Sequence, residues 1–112
     1  SRDFCFVDNI VQANLLAATV KNPAAVGQVY NIAVGERTTL NQLFQILQKG
    51  LVARDATLPE QHPHYGPERA GDVRHSHATI TKAKELLGYA PRWRVAEGLD
   101  RAMDWYYANA RR

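Results

Sequence analysis

Cysteine, methionine and long hydrophobic runs are nearly missing from this sequence of 112 residues. The single cysteine, Cys5, excludes an internal disulfide and a thiolate metal site, and its apolar surroundings, FCFV, favour a buried, unreactive thiol. No run is long enough to span a bilayer and no secretory segment is present, so we expect no membrane partner and a cytoplasmic location. The sole methionine is Met103, and we interpret the Ser-Arg-Asp start as that of a fragment of a longer protein.

Neither sign of charge dominates the sequence. Fourteen basic residues stand against eleven acidic ones, which gives a formal net charge of +3. No basic stripe alternates with aromatic residues, so we expect no nucleic-acid partner. A single anionic ligand fits this charge balance better than a polymer does.

Several signatures of cofactor and catalytic sites are absent too. The sequence has no GxGxxG turn after a strand, which would bind a dinucleotide, and no GxSxG, HExxH or GxxxxGK[ST] motif. Two HxH pairs occur, at residues 62–64 and 75–77, but no carboxylate or cysteine completes a convincing metal site with them. We therefore expect neither a metal nor a cofactor site in this chain.

Hydrophobic periodicity predicts an α/β fold, with a small sheet and about four helices, in one domain covering residues 1–112. Asp8 and Thr39 are the predicted N-caps of the first two helices, while Gly50 and Gly88 are predicted to end the second and third. The predicted strands are residues 4–7 and 28–34, with a possible edge strand at 62–65. Four helices are predicted: one that follows Asp8, one over residues 40–51, one that ends at Gly88 and one over residues 95–109.

The stretch ERAGDVRHS, residues 68–76, is unusually rich in charged side chains for a segment of nine residues. One interpretation is a solvated loop in which Arg69 and Asp72 form a surface ion pair worth roughly 0–1 kcal/mol. The other is an anion clamp, in which the planar guanidinium of arginine matches two phosphate oxygens and Asp72 orients it or accepts from a sugar hydroxyl. Arg2, before FCFV, is either an ordinary charged strand start or a second arginine for the same ligand.

Three segments carry a resemblance to a known family: SRDFCFVDNIVQANLLAA, QVYNIAVGERTTLNQLF and ERAGDVRHSHATITKAKELLGYAPRW. Together they resemble the C-terminal portion of the extended short-chain dehydrogenases/reductases, the NAD-dependent epimerase/dehydratase family. The resemblance is closest to bacterial UDP-N-acetylglucosamine 4-epimerases. It implies a nucleotide-sugar-binding domain separated from its Rossmann NAD-binding part.

The resemblance also implies roles for particular residues. Arg2 matches the arginine of the family's RDF motif and Arg69 that of its RxGD motif, and both contact the diphosphate. Asp72 meets the uridine ribose, and Arg37 lies in the turn that closes over the uridine. Ser76 stands where a tyrosine would fill the space of an N-acetyl group, so serine favours N-acetylated sugars.

The family's catalytic apparatus has no counterpart in this sequence. Its members transfer a hydride between the sugar C4 and NAD with a YxxxK tyrosine as acid–base group, and no tyrosine here has a lysine four places later. We therefore predict that the chain alone is inactive. Its expected partners are a UDP-sugar and either the Rossmann part or a second copy of the chain. The alternatives are the corresponding part of a nucleotide-sugar dehydratase or decarboxylase, or an inert self-associating fragment.

Overall fold

The computed structural model describes residues 1–110, and its regular structure is helical. The four α-helices and one 3-10 turn are, in chain order, α1 (Val7–Thr19), the 3-10 turn (Pro23–Ala25), α2 (Leu40–Arg54), α3 (Thr81–Leu87) and α4 (Val95–Asn109). None of the helices in this part of the chain has the length and apolar character needed to cross a membrane.

The predicted α/β fold with a small sheet is wrong, because residues 1–110 form no β-strand. Their β-type pairing is limited to one antiparallel bridge, in which the N–H groups of Arg2 and Thr38 donate to each other's carbonyls at 3.0 and 2.8 Å. Residues 4–7 lead directly into α1 rather than into a ladder. In residues 28–35, backbone groups of Ala33, Val34 and Gly35 bond to the side chains of Tyr89 and Asp3 instead of to a neighbouring strand.

The helix boundaries follow local capping chemistry more closely. Thr39 caps α2 as predicted, since its hydroxyl accepts from the Gln42 N–H and the Gln42 side chain accepts from the Thr39 N–H. Gly88 ends α3 as predicted, with a φ of 72° that favours glycine. Asp8 is not a cap: Phe6 takes that position, and Asp8 lies within the first turn of α1.

Helices α2 and α4 pack against each other, and Gly50 lies at their contact. The prediction that Gly50 ends α2 is wrong, because the helix continues to Arg54. A Cβ at Gly50 would meet the Met103 side chain of α4 at 3.5 Å, an ordinary packing distance. Arg54 adds ion pairs to Asp100 and Asp104 of α4 at 3.0 and 2.7 Å, and these carboxylates raise its pKa.

A small core joins α1, α3 and the segment before α2. Its buried members are Ala13, Ala33, Ile80, Ala83 and Tyr89. The Tyr89 hydroxyl donates to the Ala33 carbonyl at 2.7 Å, and burial raises the pKa of this phenol far above its usual value. The molecule is extended, since its radius of gyration is 17.2 Å, against about 13 Å for a compact domain of 100 residues.

Candidate functional site

Three segments that are far apart in sequence lie side by side. The Ser1 carbonyl accepts from the Ser76 N–H at 2.9 Å, and the Ser1 amino group donates to the Arg74 carbonyl at 2.7 Å. The next residue, Arg2, pairs with Thr38 on its other side. The first residues are therefore held between the charged loop and the segment that precedes α2.

A tight turn shapes the charged loop itself. The Asp72 N–H donates to the Arg69 carbonyl at 3.2 Å, and Gly71 between them has a φ of +78°. No neighbouring atom would touch a Cβ at Gly71, so space does not explain the glycine. The positive φ explains it, because residues with a side chain rarely adopt that conformation. The turn brings the side chains of Arg69 and Asp72 together.

Asp72 lies between two guanidinium groups. Its Oδ1 accepts from Arg2 Nη2 at 3.0 Å, and its Oδ2 lies 3.8 Å from Arg69 Nη2. The Arg2 side chain is 32% exposed, that of Asp72 47% and that of Arg69 86%. Ion pairs this accessible to water contribute little to the free energy of folding. The convergence of two arginines therefore bears more on what the site can bind than on stability.

These residues border an open cavity of about 460 Å³. One side carries the charged groups, and Phe4, Leu40 and Val73 supply an apolar wall. The full lining is Ser1, Arg2, Phe4, Leu40, Glu68, Arg69, Asp72, Val73 and Arg74. A site that combines forked cationic donors with an apolar wall suits a ligand that has a phosphate group and a flat or apolar part.

The sequence interpretation missed one ion pair at this cavity. Arg74 Nη2 lies 3.2 Å from Glu68 Oε1, and both side chains are more than four-fifths exposed. The signal was available, because Glu68 and Arg74 carry opposite charges in the same crowded stretch. Their separation of six residues, however, is not a regular helical or strand spacing, so only the turn at Gly71 makes them neighbours.

Arg37 and Ser76 lie outside that cavity lining. Arg37 borders a separate shallow depression with Glu36, Asn41 and Gln42. The Ser76 backbone is bonded to Ser1, which does line the cavity, and the Ser76 side chain is exposed. The structure thus brings together Arg2, Arg69 and Asp72 but not the other two predicted residues.

Asp3 fixes the position of Arg2 and was also missed. Its carboxylate accepts from the N–H groups of Val34 and Gly35 at 3.0 and 2.9 Å. The His77 ring is 3.1 Å from the Gly35 carbonyl on the same turn. Neither interpretation of the Arg2 segment, as a charged strand start or as part of a ligand site, includes this contact of the Asp3 carboxylate with the turn that leads to Thr38.

His75 lies among positive charges beside the cavity. Its Nδ1 is 2.9 Å from the Ser1 hydroxyl. The Ser1 ammonium lowers the pKa of this imidazole most strongly, followed by partial desolvation and the charges of Arg37, Arg74 and Arg2. A cationic surrounding of this kind disfavours further positive charge and favours an anionic ligand.

The residues described do not fit a metal or a dinucleotide. No group of three or more histidine, cysteine, aspartate or glutamate side chains in residues 1–110 is arranged to hold a metal ion. A dinucleotide needs a strand, a glycine-rich turn and a helix N-terminus in succession, and this part of the chain has no strand to start that unit.

A second concave surface runs along α1 on another side of the molecule. It is an open groove of about 760 Å³ that includes Val11, Leu15, Leu16 and Trp93. Val7, Val11 and Leu15, which we call the α1 stripe, are all exposed, and their spacing of four places them on one face of the helix. An apolar stripe of this kind is typical of a surface covered by another protein segment.

Comparison with known proteins identifies several relatives that are named as UDP-sugar 4-epimerases. No protein-family model matches the chain. It is 32% identical to the UDP-glucose 4-epimerase of Mycolicibacterium smegmatis over 106 residues, which cover 95% of this chain and 31% of the relative. A putative UDP-glucose 4-epimerase of Methanocaldococcus jannaschii is also 32% identical, over 99% of this chain and 32% of that protein. The UDP-glucuronate 4-epimerase of Thermodesulfobacterium geofontis is 29% identical, over 97% and 31%.

A solved structure agrees with these relatives. MoeE5, determined in complex with UDP-glucuronic acid and NAD, superposes with a TM-score of 0.74 at 29% identity, over 95% of this chain and 33% of that one. The chain thus spans about a third of the length of each relative. The homologues of this chain are UDP-sugar 4-epimerases, and it corresponds to their C-terminal portion.

Proposed function

We propose that this chain is the substrate-binding portion of an NAD-dependent nucleotide-sugar 4-epimerase and that it holds the diphosphate of a UDP-sugar. Arg2 and Arg69 bind the phosphate oxygens. Asp72 holds both guanidinium groups in place before the ligand arrives and accepts from the ribose once it is bound.

One observation carries this proposal. Arg2 and Arg69, from opposite parts of the chain, meet at one carboxylate on the edge of one cavity. Their guanidinium groups supply the forked donors that phosphate oxygens accept. The Phe4, Leu40 and Val73 wall offers an apolar surface for the remainder of the nucleotide.

The sugar that we propose is UDP-N-acetylglucosamine, interconverted with UDP-N-acetylgalactosamine in the parent enzyme. Ser76 supports this choice, because its small side chain leaves space where a tyrosine ring would occupy it. Arg37 completes the proposed set by closing over the uridine, although it borders a different depression here. That role requires the segment before α2 to move towards the ligand.

The other partner that we propose is the remaining part of the longer enzyme, packed on the α1 stripe and its groove. Two facts support it: the chain matches only about a third of its relatives, and the α1 stripe is apolar and exposed. A second copy of the chain could cover the same face in solution.

Titration of the chain with UDP, followed by NMR, tests the diphosphate site. We expect weak but saturable binding that Arg69→Ala abolishes, because the ligand loses one of its two forked donors. Arg92→Ala is the matched control, since Arg92 is exposed but lies outside the cavity. Equal binding by wild type and Arg69→Ala would overturn the proposal.

The sugar preference requires its own comparison. Wild type should bind UDP-N-acetylglucosamine at least as tightly as UDP-glucose, and Ser76→Tyr should weaken only the N-acetylated ligand, because the ring would fill the space of the acetyl group. If Ser76→Tyr weakened both ligands equally, or neither, the N-acetyl preference would have no basis in this residue.

A further inference from the structure

The cavity contains an acidic side chain that a diphosphate site does not obviously need. Glu68 lines it together with Arg2, Arg69 and Arg74, and its carboxylate pairs with Arg74 at 3.2 Å. Asp72 already pairs with the other two arginines. Each arginine that lines the cavity therefore has a carboxylate partner in the chain, and Glu68 is the partner of Arg74.

The exposure of this pair shows that it is weakly fixed. The Glu68 side chain is 87% exposed and that of Arg74 is 81% exposed. Ion pairs between such solvated side chains contribute little and exchange readily with water and with other ions. A diphosphate at the cavity would offer Arg74 a more highly charged acceptor than the single carboxylate of Glu68.

We propose that Glu68 is an internal counter-ion that occupies Arg74 until the ligand binds, and that Arg74 then becomes a third guanidinium on the diphosphate. This inference rests on the proposed function and deepens it. It assigns opposite effects to two neighbouring residues: Arg74 strengthens binding, while Glu68 competes with the ligand for the same cation. The Glu68–Arg74 pair also makes the cavity less attractive to small, singly charged anions. Such an anion would replace the Glu68 carboxylate on Arg74 with an acceptor that carries no more charge.

The experiment is a double-mutant cycle on the chain, with UDP as the ligand at low ionic strength. Dissociation constants are measured by NMR for wild type, Glu68→Gln, Arg74→Gln and the double variant. Glu60→Gln and Arg92→Gln are the charge-matched controls, because both residues are exposed and neither lines the cavity. Arg69→Ala is measured in the same series.

Glu68→Gln should tighten UDP binding by about two- to fivefold, the size expected for one solvated charge pair. Arg74→Gln should weaken it by a similar factor. The gain from Glu68→Gln should be clearly smaller when Arg74 is already glutamine, because no competition for the guanidinium remains. Neither control should change the dissociation constant by as much.

Three results would overturn the inference, and they separate it from the proposed function. An equal gain from Glu68→Gln in both backgrounds would show a general field effect instead of competition for Arg74. Loss of UDP binding in Arg69→Ala, with no effect of changes at Glu68 or Arg74, would leave the diphosphate site and remove the counter-ion. No binding by either wild type or Glu68→Gln would overturn both.

Discussion

At the scale of single residues, short polar side chains connect segments that are far apart in sequence. Asp3 binds the turn at Val34 and Gly35, and Asp72 binds Arg2. Asn9, which is completely buried on α1, accepts from the N–H groups of Arg92 and Trp93 and donates to the Trp93 carbonyl. Asp3 and Asn9 thereby supply side-chain partners to backbone groups of distant segments.

Asn9→Ala should therefore destabilise the chain by about 1–3 kcal/mol, because two backbone N–H groups and one carbonyl lose their partner in a partly buried place. Thermal or chemical unfolding followed by circular dichroism measures the change. Asn14→Ala is the matched control, since Asn14 is exposed on the same helix. Similar losses from the two variants would show that the hydrogen bonds of Asn9 contribute nothing specific.

The lowered pKa of His75 predicts the sign of one pH effect. In the folded chain this imidazole binds its proton less readily than in the unfolded chain. The free energy of unfolding should therefore be greatest above the ordinary histidine pKa and decrease as the pH falls through the interval down to the lowered value. Denaturation at several pH values should show a smaller decrease for His75→Gln than for wild type.

At the scale of elements, two glycines in helices have opposite reasons to be there. A Cβ at Gly98 of α4 would lie 2.6 Å from the Cβ of Phe6, closer than real side chains approach. A Cβ at Gly50 of α2 would meet Met103 at an ordinary contact distance. The first glycine is required for Phe6 to pack on α4, whereas the second is tolerated.

Alanine at these positions should thus change stability in opposite directions. Gly50→Ala should stabilise the chain by about 0.5–1 kcal/mol through helix propensity. Gly98→Ala should destabilise it by about 1–3 kcal/mol, because the clash with Phe6 outweighs the same gain. Unfolding curves of the two variants, recorded side by side, decide the matter. Stabilisation by Gly98→Ala would mean that Phe6 moves away at little cost.

At the scale of the whole molecule, this chain does not contain every motif that the proposed reaction uses. Its cavity has cationic donors, but the sequence lacks the YxxxK tyrosine, and residues 1–110 have no strand on which a dinucleotide turn could begin. Interactions with part of a substrate do not by themselves stabilise a transition state. We therefore propose that turnover needs the parts found in the other two-thirds of the length of its relatives.

The isolated chain should consequently give no turnover when supplied with NAD and UDP-N-acetylglucosamine. Proton NMR of the anomeric signals would reveal the epimerised product. The Mycolicibacterium smegmatis UDP-glucose 4-epimerase with UDP-glucose is the positive control for the assay. Product formation by this chain alone would contradict the assignment of a binding role only.

The α1 stripe gives a second prediction at this scale. Sedimentation at high protein concentration should show self-association that Leu15→Glu reduces, because the charge disrupts the exposed apolar face of α1. Lys21→Glu, which adds negative charge beyond the end of α1, is the control. A clean monomer at all concentrations would argue against the second copy as a partner.

The sequence by itself determined the features that depend on near neighbours. The apolar spacing of α4, the Thr39 cap and the stop at Gly88 are local, so they could be predicted from residues a few places apart. Local patterns were insufficient for the sheet, since a strand exists only where another segment supplies its hydrogen bonds. The tertiary structure decided that residues 28–34 do not form a strand. It also decided that Arg2 and Arg69 pair with the same carboxylate, that of Asp72, because this contact depends on how distant segments of the chain pack.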